Sequence, residues 1–123
     1  MTIITHPENT PDLGDVYWVD FDPVRGTEQA GRRPAVILSD TRLHHISLRS
    51  MLCPITSNEA LWPTKIVIPP GCVVRGAILL DQARMVDRQA RLHRYIGRLP
   101  DDVVALAVEA LSAYIGRPDS EAV

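Results

Sequence analysis

Aromatic side chains are scarce in this sequence: two tryptophans, three tyrosines and one phenylalanine make up 5% of it. A long platform of stacked rings is therefore excluded as the main means of holding a ligand. The two cysteines, Cys53 and Cys72, stand nineteen positions apart with no CxxC neighbour, which excludes a disulfide framework and a four-cysteine zinc site. They are expected to be free thiols, buried as small apolar groups. No apolar run approaches the roughly 18 residues that span a bilayer. The stretch from Met1 to Pro11 is polar and lacks the cationic start and apolar run of a secretory leader, so a cytoplasmic location is expected. Neither a Cys/His cluster with ligand spacing nor a concentrated acidic cluster is present, so no metal or other cofactor is expected.

What is present fits one soluble domain. The 123 residues are 46% hydrophobic and 23% charged, with room for one core. Net charge is −2, which argues against a uniformly basic surface, but the charges are unevenly spread. From Arg25 to Arg94 there are eleven Lys or Arg and five Asp or Glu, a local balance of +6; the first twenty-four residues carry five acids and no Lys or Arg. A basic middle between acidic ends is consistent with one anion-binding face, and equally with arginines decorating solvated strands.

Short runs of β-formers recur through that middle: Asp15 to Phe21, Pro34 to Ser39, Met51 to Thr56, Thr64 to Ile68, Ala77 to Leu80, Arg84 to Val86, and His93 to Ile96 at an edge. Close strands punctuated by Gly and Pro predict a small barrel or sandwich. Trp18, inside the first strand, is expected in the core. The end of the chain changes period. Val103, Ala107, Ala110, Leu111 and Tyr114 recur at helical spacing behind Pro100, Asp101 and Asp102, so Pro100 to Ile115 reads as an amphipathic helix that covers one open side, with Gly116 as its C′ residue. Residues 1–11 and 117–123 read as flexible tails around a domain at 12–116.

The segment Phe21 to Pro34, FDPVRGTEQAGRRP, is longer than the usual connection of about 4–6 residues. It carries three arginines, a glutamate and a glutamine, and such loops on rigid scaffolds often bind or catalyse. The histidines suggest no two-histidine acid–base pair. His6 lies in the tail, His93 near the helix, and the adjacent His44 and His45 in a loop after the second strand, where solvation is expected.

The run from Gly14 to Pro23 (GDVYWVDFDP), followed by Gly26 to Val36 (GTEQAGRRPAV), resembles the opening signature of the MazF/PemK family of toxin endoribonucleases. Three further pieces follow in the family's order: Pro54-Ile55-Thr56-Ser57, Leu80-Asp81-Gln82 and Arg84-Met85-Val86-Asp87. The resemblance spans about Gly14 to Ile115. It implies a small half-open SH3-like β-barrel of about five to seven short strands covered by a C-terminal helix. It also implies a homodimer with single-stranded RNA in a groove near the interface, and a cognate antitoxin whose acidic segment blocks that groove.

The reaction the resemblance implies is attack of a ribose 2′-hydroxyl on the adjacent phosphate, leaving 2′,3′-cyclic phosphate and 5′-hydroxyl ends without a metal. It needs a base, a proton donor and positive stabilisation of the phosphorane. Arg33 matches the family's catalytic arginine; its guanidinium can hold two phosphate oxygens and stays charged, so its role is electrostatic. Thr56 matches the motif threonine and can donate to a non-bridging oxygen. Glu28 and Asp81 both fall where family members carry acids, and either could be the base; Glu28 shares a loop with Arg33, whereas Asp81 could instead hold that arginine or the loop. Thr27 and Leu79 stand where one branch of the family has a histidine and an arginine, so that branch's proton transfers are not available here. Gln29, Arg32, Ser57, Trp62 and Arg84 are candidate RNA contacts, Trp62 being the best placed to stack on a base; Arg49 is a further candidate for phosphate. The same barrel also serves toxins that bind DNA gyrase through the end of the C-terminal helix, and inactive relatives that only bind RNA or an antitoxin. The Glu-Gln and Arg-Pro loop together with Thr56 favours the nuclease.

Overall fold

A computed structural model describes residues 10–21, 31–116 and 118 of the chain. Among them are seven strands: β1 (Asp15–Asp20), β2 (Arg32–Ile37), β3 (Arg49–Thr56), β4 (Lys65–Val67), β5 (Ala77–Leu79), β6 (Arg84–Asp87) and β7 (Leu92–Arg98). They form one antiparallel sheet in the order β4-β5-β3-β2-β1-β7, with β6 also paired to β3. β3 serves two neighbours along one edge, β6 over Arg49 to Leu52 and β5 over Ile55 and Thr56. The sheet curls into a barrel that stays half open. All seven expected strands exist, with ends shifted by a few residues.

The C-terminal helix α3 spans Asp101–Tyr114. Pro100 at its N-cap and two aspartates in the first turn suit a helix start, where free N–H groups and the dipole favour proline and negative charge. Val103, Val104 and Ala107 are buried, with Ala110 and Leu111 packed at the margin. Tyr114 is half exposed at the far end, so the apolar stripe works over its first three turns. Gly116 follows the C-cap Ile115 without adopting the positive φ that Gly14, Gly31, Gly71 and Gly76 show.

Alternation along the strands divides the buried residues between two faces. Val16, Val36, Cys53, Ile55 and Ile78 point towards α3, where Leu99, Val103, Val104 and Ala107 complete the main core. Tyr17, Val19, Phe21, Ala35, Ile37, Leu52, Val86 and Leu92 form a second cluster on the reverse face. Gly14 sits where β1 meets the helix: a Cβ there would lie 2.9 Å from a methyl of Val104. The buried Asp15 carboxylate accepts the Asp12 N–H at 2.8 Å and faces Arg98 at 3.5 Å, which ties the start of β1 to the strand leading into α3.

Two short helices escape the strand pattern, α1 (Thr41–Ile46) and α2 (Arg88–Arg91). Each is started by an aspartate: Asp40 accepts from Arg42 N–H, and Asp87 from Gln89 and Ala90 N–H. One or two turns are too short to establish a helical period, so only the cap residue marks them in the sequence.

The structure corrects three expectations. Trp18 is not a core residue; it is 38% exposed, because it lies two residues beyond Val16 on the helix side of β1, past the cluster that α3 covers. His44 is not solvated. It belongs to α1 and is buried; its Nδ1 donates to the Pro11 carbonyl at 2.7 Å, while Nε2 lies 2.6 Å from Ser39 Oγ. A carbonyl can only accept, so Nδ1 carries the proton and the serine hydroxyl donates to Nε2. Pro11, placed by sequence at the end of a tail, is accordingly buried. Both cysteines are free; Cys53 is buried and Cys72 only half-buried.

Candidate functional site

β2 and β3 place the two strongest candidates. Their ladder pairs Ala35 with Pro54, Val36 with Cys53 and Ile37 with Leu52. The ladder ends at Ala35 and Pro54, and Arg33 and Thr56 each lie two residues beyond it on their own strands. Arg33 also pairs with Val19 of β1, and Thr56 with Ala77 of β5. Both therefore belong to the reverse face, away from α3. Arg84, half-buried and opposite Leu52, joins them there; its guanidinium lies 5.4 Å from the centre of the Phe21 ring, a cation–π distance.

Local bonds prepare each group. Phe21 N–H donates to Gly31 O at 2.9 Å, so the two feet of the connection between β1 and β2 are tied together directly before Arg32 and Arg33. Gly31 makes this turn with a φ of +75°, a conformation that costs glycine little. Glu28 and Gln29 belong to that connection and lie outside the described residues. The Thr56 hydroxyl accepts the Asn58 N–H at 3.1 Å. That bond fixes the oxygen and leaves its proton to donate, the role a non-bridging phosphate oxygen requires.

The following loop is held in the same manner. Asn58 Oδ1 accepts Ala60 N–H, and the Lys65 ammonium donates to the carbonyls of Asn58 and Ala60 at 3.0 and 3.2 Å. Ser57 is exposed, and Trp62 is 63% exposed on this tethered loop. Asp81 lies in a 3-10 turn over Leu80–Gln82, exposed and near enough to Cys53 to add its charge to the burial that pushes that thiol up to about 12. The described residues thus bring Arg33, Thr56 and Arg84 to one face, with Ser57 and Trp62 on the loop that leaves it. Asp81 sits on a separate turn.

Arg32 departs from this group. As Arg33's neighbour on a strand it points to the opposite face, where it pairs with Asp20. There it lines a cavity of about 550 Å³ with Trp18, His93 and Arg94. The β1–β7 register is irregular at this point: Tyr17 pairs with Tyr95 and Val19 with Leu92, leaving His93 and Arg94 in the bulge. Sequence reasoning placed His93 near the helix and missed Arg94. The signal available for Trp18 was its even spacing from Val16 and Asp20, which assigns it a face but not a cover.

Residues 12–115 match the model of the PemK-like, MazF-like toxin of type II toxin-antitoxin system. The chain belongs to this family. The endoribonuclease toxin MazF of Escherichia coli strain K12 is 34% identical over 106 residues, which cover 86% of this chain and 95% of that protein. Crystalline MazF from Deinococcus radiodurans superposes with a TM-score of 0.80 at 32% identity, covering 88% of this chain and 98% of the other. A MazE-MazF crystal structure from the same organism also matches, with a TM-score of 0.73 at 32% identity, covering 85% of this chain and 95% of that one. In this MazF-like chain the half-open barrel sets β2 and β3 side by side, with Arg33 and Thr56 on the same face of the two strands.

Proposed function

We propose that this MazF-like toxin is an endoribonuclease that cuts single-stranded RNA at selected sequences and needs no metal ion. The ribose 2′-hydroxyl attacks the adjacent phosphate, and the 5′-oxygen leaves; the products carry 2′,3′-cyclic phosphate and 5′-hydroxyl ends. The observation that supports this reading is that Arg33 of β2 and Thr56 of β3 share one face of neighbouring strands, beside the tied feet of the connection that holds Glu28 and Gln29. Arg33 stabilises the charge that gathers on the phosphorane, and the Thr56 hydroxyl donates to a non-bridging oxygen. Glu28 or Asp81 takes the 2′-hydroxyl proton, and the departing 5′-oxygen gains a proton from the carboxyl group so formed or from water. Gln29, Ser57, Trp62 and Arg84 contact the RNA.

The protein works as a homodimer, in the cytoplasm, and a cognate antitoxin occupies its RNA groove; the MazE-MazF complex and the name of the matched family support that partner. Nothing in the relatives' names favours gyrase binding. Purified protein incubated with a long RNA in EDTA, with both new ends mapped, tests the reaction. Discrete cuts with cyclic-phosphate ends are expected, and loss of about 10²–10³ in rate for Arg33→Ala at unchanged melting temperature. A fully active Arg33→Ala protein would remove Arg33 from the mechanism, and a requirement for added divalent metal would refute the metal-free scheme.

A further inference from the structure

The cavity behind the candidate catalytic face has a composition that the cutting reaction does not use. Trp18 supplies an open indole, and Arg32 and Arg94 supply guanidinium groups from strands on either side of β1, with His93 beside them. No carboxylate is among its described lining residues; Asp20 stands opposite Arg32 in the register but does not line it. A large ring half open to solvent between two cations is uncommon on a strand that otherwise buries its apolar groups, and here no side chain of the described core covers it.

We propose that this cavity is a second RNA subsite that takes one unpaired nucleotide flanking the cleaved bond. The base stacks on Trp18, and Arg32 and Arg94 hold its phosphates. The proposal rests on the endoribonuclease reading and adds to it a place where substrate length is sensed. Continuity with the cutting face favours RNA over other acidic ligands. Arg32 and Arg33 are adjacent, and strand alternation sends one to each face. A flexible strand whose phosphate sits on Arg33 therefore needs only to pass the first residues of β2 to reach Arg32 and the indole. An acidic peptide would satisfy the arginines, but gives the Trp18 ring no planar partner.

The test compares the parent, Trp18→Ala, Trp18→Phe and Arg94→Ala proteins on two RNAs with the same cleavage sequence, one minimal and one extended by several nucleotides on each side. A 2′-O-methyl version of the extended RNA, which cannot be cut, gives Kd directly. Loss of one stacked base is expected to raise KM and Kd for the extended RNA about tenfold in Trp18→Ala, with kcat and all minimal-substrate constants within about twofold. Trp18→Phe should recover most of the loss. Arg94→Ala should lower the salt slope of Kd by about one unit.

Equal losses on both RNAs, or none on either, would overturn the proposal. So would unchanged RNA constants with weakened inhibition by the cognate antitoxin, since the cavity would then be a peptide site. Dissociation of the variants into monomers, measured by sedimentation, would assign it to contact between copies and overturn it likewise. If the parent binds the uncleavable RNA through Trp18 yet cuts neither substrate, the nuclease reading fails while the subsite stands.

Discussion

Gly76→Ala should damage both stability and cleavage, although residue 76 touches no substrate. Gly76 has a φ of +126°, and a Cβ built there would collide with the Thr56 carbonyl oxygen and lie 3.1 Å from its carbonyl carbon and 3.2 Å from a methyl of Ile55. The obstacle is backbone, so no rotamer change relieves it. One cost is the conformation itself, about 1–2 kcal/mol for an L-residue at positive φ. The other is the movement needed to open the contact. β3 and β5 pair only at Ile55 with Ile78 and Thr56 with Ala77, and Gly76 O also accepts the Ile68 N–H at 2.8 Å. Losing two of these backbone bonds costs about 1–3 kcal/mol.

Together the two costs predict about 2–5 kcal/mol, a large share of the roughly 5–15 kcal/mol that holds a domain folded. Gly71 provides the control, since it too has positive φ, +90°, but a Cβ there meets nothing within 4 Å. Gly71→Ala should therefore cost only the conformational part. Urea unfolding of both variants measures the difference. RNA cleavage assayed in the cold, where both are folded, should fall at least tenfold for Gly76→Ala alone, because Thr56 is the residue displaced. Equal stabilities and equal rates for the two variants would refute both the steric argument and the role given to Thr56.

Two further outcomes follow from buried groups. Desolvation holds the His44 imidazole below its usual value of 6.5, helped by the charge of Arg88 and opposed by the bond to Pro11 and by Asp12 and Asp40. The folded state thus binds its proton less readily than the unfolded chain, so this contribution is complete above pH 6.5 and is lost as pH falls below it; comparing urea midpoints of the parent and His44→Gln across that range should show the extra acid sensitivity only in the parent. Cys53, with its thiol raised to about 12 by burial and by Asp81, should resist alkylation at mildly alkaline pH while Cys72 reacts, and mass spectrometry showing equal labelling in the folded protein would contradict the burial.

The fold was legible where period and burial agree. Strands such as Pro34 to Ile37 announce themselves because a continuous apolar run bounded by turns has few other uses, and α3 because five apolar residues share one stripe behind two acids. α1 was not, since six residues give no period and His44 looks polar until Ser39 and Pro11 are brought to it from elsewhere in the chain. The candidate site divides in the same way. Arg33 and Thr56 could be named from motifs, but their relation is a matter of register: they are twenty-three positions apart, and the pairing that ends at Ala35 and Pro54 brings their strands side by side.

Parity explains the largest misreading. Alternation assigns Trp18 to the face of Val16 and Arg32 to the face of Val36, both of which are core, so burial was the natural inference for the tryptophan. Whether a position on that face is covered depends on how far along the strand α3 reaches, and no local pattern in residues 15–20 encodes the reach of a helix beginning at Asp101. The bulge between Tyr95 and Leu92 adds what alternation cannot supply, two consecutive exposed residues, His93 and Arg94, beside the same indole. An aromatic that breaks the hydrophobic rule on a strand whose neighbours keep it, with arginines on both adjoining strands, is better explained by a ligand than by packing, and a salt-dependent loss of binding for Arg94→Ala separates those two explanations because a packing defect has no salt slope.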